Sequence, residues 1–271
     1  MSTQVPATDE FLARETERTF YDYSFAWEGE EEQITDYADA RVISLPTRWG
    51  GLDGIVERIS FDPAHVDERI DALLAEIGDR NFWWIIGPSS QPADLVERLK
   101  ARGWQVTINW DCLGLRDMSA EFPANPDVQV EPLSLENAAD YAELCASQEP
   151  TREKYEQVKA DKLVAAHRYL QIAKPEAHIY LGRVDGMAAG CVVLRNEPNG
   201  VAYLRNAETL PQFRNRGIYL TLIGHRLAVA REAGCTSAVV QAQVQSSSPI
   251  LCKRGFQRVS WLQAMTRPAT S

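Results

Sequence analysis

Two stretches of this chain, one in each half, pass through the same order of segments: strand, helix, strand, helix, strand. In the first half, residues 55–61 alternate in polarity like a strand, and residues 66–77 have the apolar spacing of a helix. Residues 82–86 form a continuous apolar strand, and a helix at 93–101 and a strand from Trp104 follow. Strands that alternate with helices are typical of α/β proteins, in which helices cover a central sheet. The order therefore predicts an α/β fold.

The second half repeats this order. Strands are expected at 201–206 and 237–244 with a helix at 217–233 between them, and a short helix and a final strand follow. The sequence Lys-Ala-Arg-Gly-Trp-Gln at 100–105 is also echoed by Lys-Arg-Gly-Phe-Gln at 253–257. We interpret the two stretches as a degenerate internal repeat. Two unrelated α/β units that share common turn residues would give a similar pattern, and this alternative stays open.

The break between the two halves is expected at residues 116–127. Two prolines and an asparagine there separate one apolar, strand-like run from the next. We therefore predict an N-terminal domain at residues 1–120 and a C-terminal domain at residues 127–271.

The remaining segments have weaker signals. Residues 128–131 are expected to form a strand, followed by a helix that Ser134 caps and that runs to about residue 147. A second helix is expected at 151–172, and another near the N terminus at about 9–25. The acidic run at 28–32 is expected to be solvated.

Composition excludes several classes of protein. The formal net charge is −10, which argues against sequence-independent binding of nucleic acid. That charge is uneven, because residues 1–125 carry −13 and residues 126–271 carry +3, so the second half suits a small anionic ligand better. No run approaches the ~20 apolar residues of a membrane span, and the N terminus has no apolar signal segment. These features predict a cytoplasmic protein with no membrane partner.

Cysteine usage predicts no covalent or metal framework. The chain has five cysteines, an odd number at irregular spacings and with no Cys-x-x-Cys pair. We expect neither disulfides nor a metal site from this pattern, and we interpret the cysteines as small buried apolar residues.

The segment that carries chemistry lies between strand 201–206 and the helix that follows it. Arg214, Arg216 and Gly217 stand at the start of that helix, where free backbone N–H groups and the helix dipole favour an anion. Gly217 allows close approach of phosphate oxygens to the backbone, and the two arginines can add charge-assisted hydrogen bonds. A helix start with solvated arginines is the simpler alternative. The chain has neither of the common nucleotide-binding glycine loops.

This segment resembles motif A of the GNAT acyltransferases. The family pattern is Gln/Arg-x-x-Gly-x-Gly/Ala, and the chain has Arg214-x-x-Gly217-x-Tyr219. Lys253-Arg-Gly-Phe256 likewise resembles the Lys-x-Gly-Phe that leads into the final strand of the family. The resemblance covers about residues 127–267 and is weak over 1–118. It implies a mixed central sheet flanked by helices, arranged as two tandem GNAT-like domains with a degenerate N-terminal copy.

The resemblance also implies an enzyme, an N-acetyltransferase that moves an acetyl group from acetyl-CoA to a primary amine of a small molecule. The amine would attack the thioester directly. The backbone of Thr209 and Leu210 would hold the pantetheine arm. The phosphates would be bound by the following residues: Arg214, Asn215, Arg216, Gly217, Ile218 and Tyr219. The alternative is an acyl-CoA-binding regulatory module that has lost turnover. The acidic N-terminal half favours a cationic acceptor. The sequence gives no indication of the number of subunits.

Two positions depart from the family pattern. Tyr219 replaces the usual Gly or Ala, which is tolerable if its side chain points away from the phosphates. Leu251 stands where many relatives have the tyrosine that protonates the leaving thiolate. For the general base, Glu208 is the first candidate, although an exposed strand-end carboxylate would have the same sequence signal. Glu149 is a candidate to line the acceptor site, whereas a helix-surface or packing role is favoured for His225.

Overall fold

The computed structural model describes residues 7–49, 52–147 and 149–267, and these form one mixed α/β structure around an eleven-stranded sheet. The N-terminal half contributes three helices and five strands, in this order: α1 (Asp9–Tyr21), β1 (Gln33–Asp36), β2 (Arg41–Trp49), β3 (Leu52–Glu57), α2 (Val66–Ile77), β4 (Phe82–Ile86), α3 (Leu95–Ala101) and β5 (Gln105–Leu115). A 3-10 turn at Phe25–Glu28 follows α1. None of the described helices is long and apolar enough to cross a membrane.

The C-terminal half contributes four helices and six strands. In chain order they are β6 (Val128–Pro132), α4 (Ala138–Ala146), α5 (Arg152–Tyr169), β7 (Ala177–Val184), β8 (Met187–Asn196), β9 (Val201–Thr209), α6 (Ile218–Glu232), β10 (Ser237–Gln243), α7 (Ser247–Cys252) and β11 (Gln257–Thr266). The repeated strand–helix–strand–helix–strand order is confirmed, as β3-α2-β4-α3-β5 in one half and β9-α6-β10-α7-β11 in the other.

Each half gives its last strand to the other half. The order across the sheet is β1-β2-β3-β4-β11-β5-β10-β9-β8-β7-β6. Strand β11 therefore pairs antiparallel with β4 of the N-terminal half, and β5 pairs antiparallel with β10 of the C-terminal half. The two exchanged strands also pair with each other along nearly their whole length. This exchange joins the halves into one continuous sheet.

Helices cover both faces of the sheet. A side chain at Gly190 of β8 would meet Ile218 and Leu222 of α6, whereas the next residue, Cys191, lies beside Cys145 of α4. Because successive residues of a strand point to opposite faces, α6 and α4 lie on opposite sides of the sheet. Helix α7 lies on the α6 side of the sheet, because its Leu251 belongs to the same apolar cluster as Ile223 and Leu227 of α6.

Two local expectations are wrong. The helix predicted from Ser134 begins at Ala138 instead, because residues 134–137 form a turn in which the Asn137 side chain accepts the Ser134 N–H at 2.8 Å. The acidic run is not wholly solvated, since the side chains of Glu28 and Glu30 are only 4% and 6% exposed. Both carboxylates are buried because they pair with cations of the C-terminal half.

Candidate active site

Strands β9 and β10 separate partway along their length. They pair in parallel at only three positions, the last being Val239 opposite Tyr203, yet β9 continues to Thr209. Beyond that position, β9 follows β8 and β10 follows β5. The two strands therefore diverge beyond this position, and we call the region between them the β9/β10 cleft.

A β-bulge interrupts β9 beside this cleft. Val192 of β8 lies opposite Ala207, but Val193 lies opposite Arg205, so Asn206 is an extra residue with a positive φ of 38°. A bulge of this kind re-aims backbone groups that a regular ladder would use.

Arg226 of α6 supports the bulge from below. Its side chain is fully buried, and one Nη donates to the carbonyl oxygens of Val193 at 2.8 Å and Arg205 at 3.0 Å. Burial lowers the pKa of Arg226 to about 10, so the guanidinium stays protonated at neutral pH. A fixed positive charge therefore lies at the inner end of the cleft.

The predicted anion-binding segment lies at the other end. Gly217 begins α6 with a φ of 76° and no side-chain cap, and the first turn of α6 carries no acidic residue. Asn215 has a φ of 62°, so two left-handed residues turn the chain sharply into the helix. Asn125, from the segment that joins the halves, fixes this turn by donating its Nδ2 to the Arg216 carbonyl at 2.8 Å.

Both arginines of the segment are exposed and weakly held. The Arg214 Nε lies 3.4 Å from the carbonyl oxygen of Thr209, and an Arg216 Nη lies 3.7 Å from a carboxylate oxygen of Asp185. A 3.4 Å hydrogen bond to a carbonyl and an exposed ion pair at 3.7 Å both contribute little, so either guanidinium can turn toward a bound anion at small cost.

The remaining residues of the predicted CoA site lie nearby but offer different groups. Leu210 and Ile218 are 8% and 1% exposed and belong to the apolar core, and the Leu210 N–H donates to the Ala189 carbonyl at 2.9 Å. Thr209 is half-buried, and its hydroxyl has no hydrogen-bond partner among the described residues.

Tyr219 connects α6 with α7, the helices that follow β9 and β10. Its side chain is half-buried and hydrogen-bonds to Ser247 of α7, and burial raises the pKa of its hydroxyl. Leu251, in contrast, is fully buried in the core between α7 and the sheet. The tyrosine hydroxyl at this border thus comes from α6 and not from the position five residues before Phe256.

Glu208 lies on the α4 face of the sheet, half-buried beside Cys191, its direct cross-strand neighbour. A carboxylate oxygen of Glu208 and the Sγ atoms of Cys145 and Cys191 lie within 4.8 Å of one another. The hydrogen bond with Cys145, burial and the nearby Glu208 hold the pKa of the Cys191 thiol well above its usual value.

Glu28 is a site residue that sequence reasoning missed. It comes from the N-terminal half, yet its Oε1 accepts the Tyr23 hydroxyl at 2.7 Å and lies 3.4 Å from the Nε of Arg205. The Nδ2 of Asn206 also lies 3.4 Å from both carboxylate oxygens. The N-terminal half thereby fixes both residues of the bulge. No local pattern signals this role, because it depends on contacts between distant segments.

A second buried pair joins the halves on the same face. The ammonium of Lys162 contacts a carboxylate oxygen of Glu30. Burial raises the pKa of Glu30; burial also opposes the charge of Lys162, but Glu30 and its neighbours raise the pKa of this ammonium overall. With Glu28, Glu208 and Arg205, this pair makes the α4 face of the site densely charged.

Other polar candidates lie elsewhere. His225 packs edge-on against Tyr180 with ring centroids 4.7 Å apart, and burial lowers its pKa, so the expected packing role is confirmed. Glu149 lies in the turn after α4. The interpretation of every cysteine as a buried residue is wrong for Cys252, which is exposed at the end of α7.

The sequence and fold were compared with known proteins. Residues 141–256 match the model of the acetyltransferase (GNAT) family. No curated protein matches the chain.

Solved structures share the fold over the whole chain. A GCN5-related N-acetyltransferase from Kribbella flavida has a TM-score of 0.59 at 15% identity, with 98% of each chain covered. Another from Sphaerobacter thermophilus has a TM-score of 0.57 at 15% identity, covering 98% of this chain and 96% of that one. A tandem GNAT protein from the clavulanic acid biosynthesis pathway has a TM-score of 0.55 at 16% identity, covering 86% and 79%. At these identities the likeness establishes the fold.

Proposed function

We propose that the chain transfers the acetyl group of acetyl-CoA to a primary amine of a small molecule, because residues 141–256 match the acetyltransferase (GNAT) family. The observation that supports this most is the β9/β10 cleft, which has an uncapped helix start with two exposed arginines at one end and a β-bulge at the other. A long ligand with phosphates at one end and a reactive carbonyl at the other fits this arrangement.

We assign the binding of acetyl-CoA to the segment before and at the start of α6. The pyrophosphate would accept hydrogen bonds from the backbone of residues 215–219 and from the side chains of Arg214 and Arg216. The backbone of Thr209 and Leu210 would hold the pantetheine arm along β9. The thioester carbonyl would then lie near the bulge at Asn206, where an N–H freed from the ladder can stabilise the developing oxyanion.

The amine would approach from the opposite face, between the Phe25–Glu28 turn and helix α4. In the reaction a C–N bond forms as the C–S bond breaks, the amine proton passes to a base, and CoA leaves as a thiolate. We propose Glu208 as this base. The excess of acidic residues in the N-terminal half favours a cationic acceptor, and the compartment we propose is the cytoplasm.

A second candidate is an acyl-CoA-binding module without turnover. The observation that favours it is Leu251 itself, a buried apolar residue at the position where many relatives have a proton-donating tyrosine on α7. In the enzyme reading, the Tyr219 hydroxyl at the same border is the nearest replacement, although its pKa is raised by burial.

Calorimetric titration with acetyl-CoA, followed by mass-spectrometric detection of acetylated products from a panel of small amines, separates the candidates. Micromolar binding with product formation supports the enzyme, and Glu208→Gln should then lower turnover most at pH values below the pKa of the amine. Binding without product from any amine favours the module. Absence of binding contradicts both.

A further inference from the structure

We propose that Cys145, Cys191 and Glu208 form a binding site for one thiophilic divalent cation, of which Zn²⁺ is the representative. The three residues come from α4, β8 and β9, far apart in sequence, and their potential ligand atoms lie within 4.8 Å of one another. Two sulfurs and one carboxylate oxygen are a donor set that zinc uses in proteins.

The geometry needs little rearrangement to bind a metal. With metal–sulfur distances of about 2.3 Å in a tetrahedral site, the two sulfurs would be roughly 3.8 Å apart. Cys191 and Glu208 are direct cross-strand neighbours, so the sheet fixes their spacing, and Cys145 is carried by a helix that packs on β8. The two sulfurs are thus at most about 1 Å farther apart than a bound metal requires, and we expect side-chain rotations to close that distance.

Access and charge also fit a bound cation. Cys191 is buried, but Cys145 and Glu208 are only partly buried, so an ion would enter from their side and water would supply the fourth ligand. Two thiolates and a carboxylate carry three negative charges, and Lys162 lies near enough to act electrostatically on Cys191. A divalent cation balances two of the three ligand charges, since Lys162 is already paired with Glu30, and binding displaces the thiol protons.

The site would also affect catalysis, a consequence that rests on the proposed function. A metal bound through Glu208 occupies the carboxylate that we propose as the base. We expect Zn²⁺ to inhibit acetyl transfer reversibly and a chelator to restore it.

The test uses the full-length, tag-free protein with its thiols counted and fully reduced by a phosphine, titrated with Co²⁺. We expect thiolate-to-cobalt charge-transfer absorption in the near ultraviolet that saturates at one equivalent and disappears when Zn²⁺ is added. Cys145→Ala and Glu208→Gln should each weaken cobalt binding by about 100-fold or more, since loss even of a group that supports a ligand costs 10–100-fold. Cys145 and Glu208 are half-exposed, so these variants test the site even if Cys191→Ala fails to fold.

Cys235→Ala and Cys252→Ala are the matched controls and should bind cobalt like the original chain. The proposal is overturned if no thiolate band forms, or if the band survives Cys145→Ala, or if Cys252→Ala removes it. The cobalt spectrum does not depend on turnover, so a chain that binds cobalt but acetylates nothing retains the metal site and loses the proposed function. Inhibition is scored by the acetylated amine, because the thiol of released CoA itself binds zinc.

Discussion

The two halves of the chain differ most where their parallel strands separate. In the N-terminal half, β3 and β4 pair at three positions and are then joined again: the Gln91 N–H donates to the Ile59 carbonyl at 2.9 Å, and the Phe61 N–H donates to the Gln91 carbonyl at 3.2 Å. In the C-terminal half, β9 and β10 also pair at three positions, but no backbone hydrogen bond among the described residues joins them beyond that point. One half is closed where the other is open.

The helices that follow β3 and β9 also differ between the two halves, in the charge at their N-terminal ends. Helix α2 carries Asp67 and Glu68 in its first turn, and the carboxylate of Asp62 accepts the Ala64 N–H just before it. Helix α6 has no acidic residue in its first turn and two arginines before it. The N-terminal half thus supplies negative charge where the C-terminal half leaves room for an anion. The same order of elements becomes a candidate binding cleft through two local changes, the separation of the strands and the lack of acidic residues in the first turn of the helix.

The largest effect is expected when the two halves are produced as separate fragments. We expect a fragment of residues 127–271 to aggregate or to lack a cooperative unfolding transition, because it loses β5, which lies between β10 and β11. Co-expression with residues 1–120, which contain β5, should restore a soluble complex. Circular dichroism during thermal unfolding measures the effect. A 127–271 fragment that unfolds cooperatively on its own would show that the exchanged strands are dispensable.

In the C-terminal half, substitutions at the start of α6 should weaken the binding of CoA. We expect Arg216→Ala to weaken CoA binding by about 10–100-fold, which corresponds to the roughly 1.5–3 kcal/mol of a hydrogen bond to a charged group. Gly217→Glu should weaken it further, because it brings a carboxylate to the phosphates and strains a residue whose φ is 76°. Arg231→Ala, an exposed change in the last turn of the same helix, is the control. Equal CoA affinities by calorimetry in all three variants would contradict the assignment.

In the N-terminal half, a buried carboxyl group should make the free energy of unfolding depend on pH. Glu57 of β3 is 1% exposed, and burial raises its pKa from 4.5 to about 8 despite the nearby Arg58. The folded state therefore binds this proton more tightly than the unfolded state. The resulting stability is complete below pH 4.5 and is lost as the pH rises toward 8. Relative to the original chain, Glu57→Gln should be more stable at pH 8 than at pH 5 by at least about 1 kcal/mol, since one pKa unit is worth about 1.4 kcal/mol.

Urea titrations at the two pH values measure this difference. Glu68→Gln, a change at an exposed carboxylate in the same half, is the control. An unchanged pH dependence in Glu57→Gln would show that Glu57 is ionised in the folded state.

What the sequence predicts here is local. The repeated order of elements follows from apolar periodicity, and the position of Arg214–Tyr219 at a helix start follows from Pro211 and Gly217. Each of these signals lies within about twenty residues of the chain. The structure places them where the pattern indicates.

What the sequence does not predict depends on contacts between distant residues. Glu28 belongs to an acidic run that is typical of a solvated surface, yet it meets Arg205 and Asn206 across the two halves. The cluster of Cys145, Cys191 and Glu208 has no recognisable spacing because a helix and two strands bring it together. Strand exchange is equally invisible, since β5 and β11 have the same alternating pattern whichever half they join.

The exchange of strands has a consequence for synthesis on the ribosome. The inner edge of β4 is covered by β11, in which Gln263 pairs with Ile86. During translation that edge is complete, with Phe82–Ile86 already made, long before residues 257–266 leave the exit tunnel. An uncovered strand edge is a site for pairing with other chains. The inner edge of β4 in the nascent N-terminal half therefore stays unpaired until β11 has been synthesised. A chain truncated before β11 would keep this edge exposed and would be prone to aggregation.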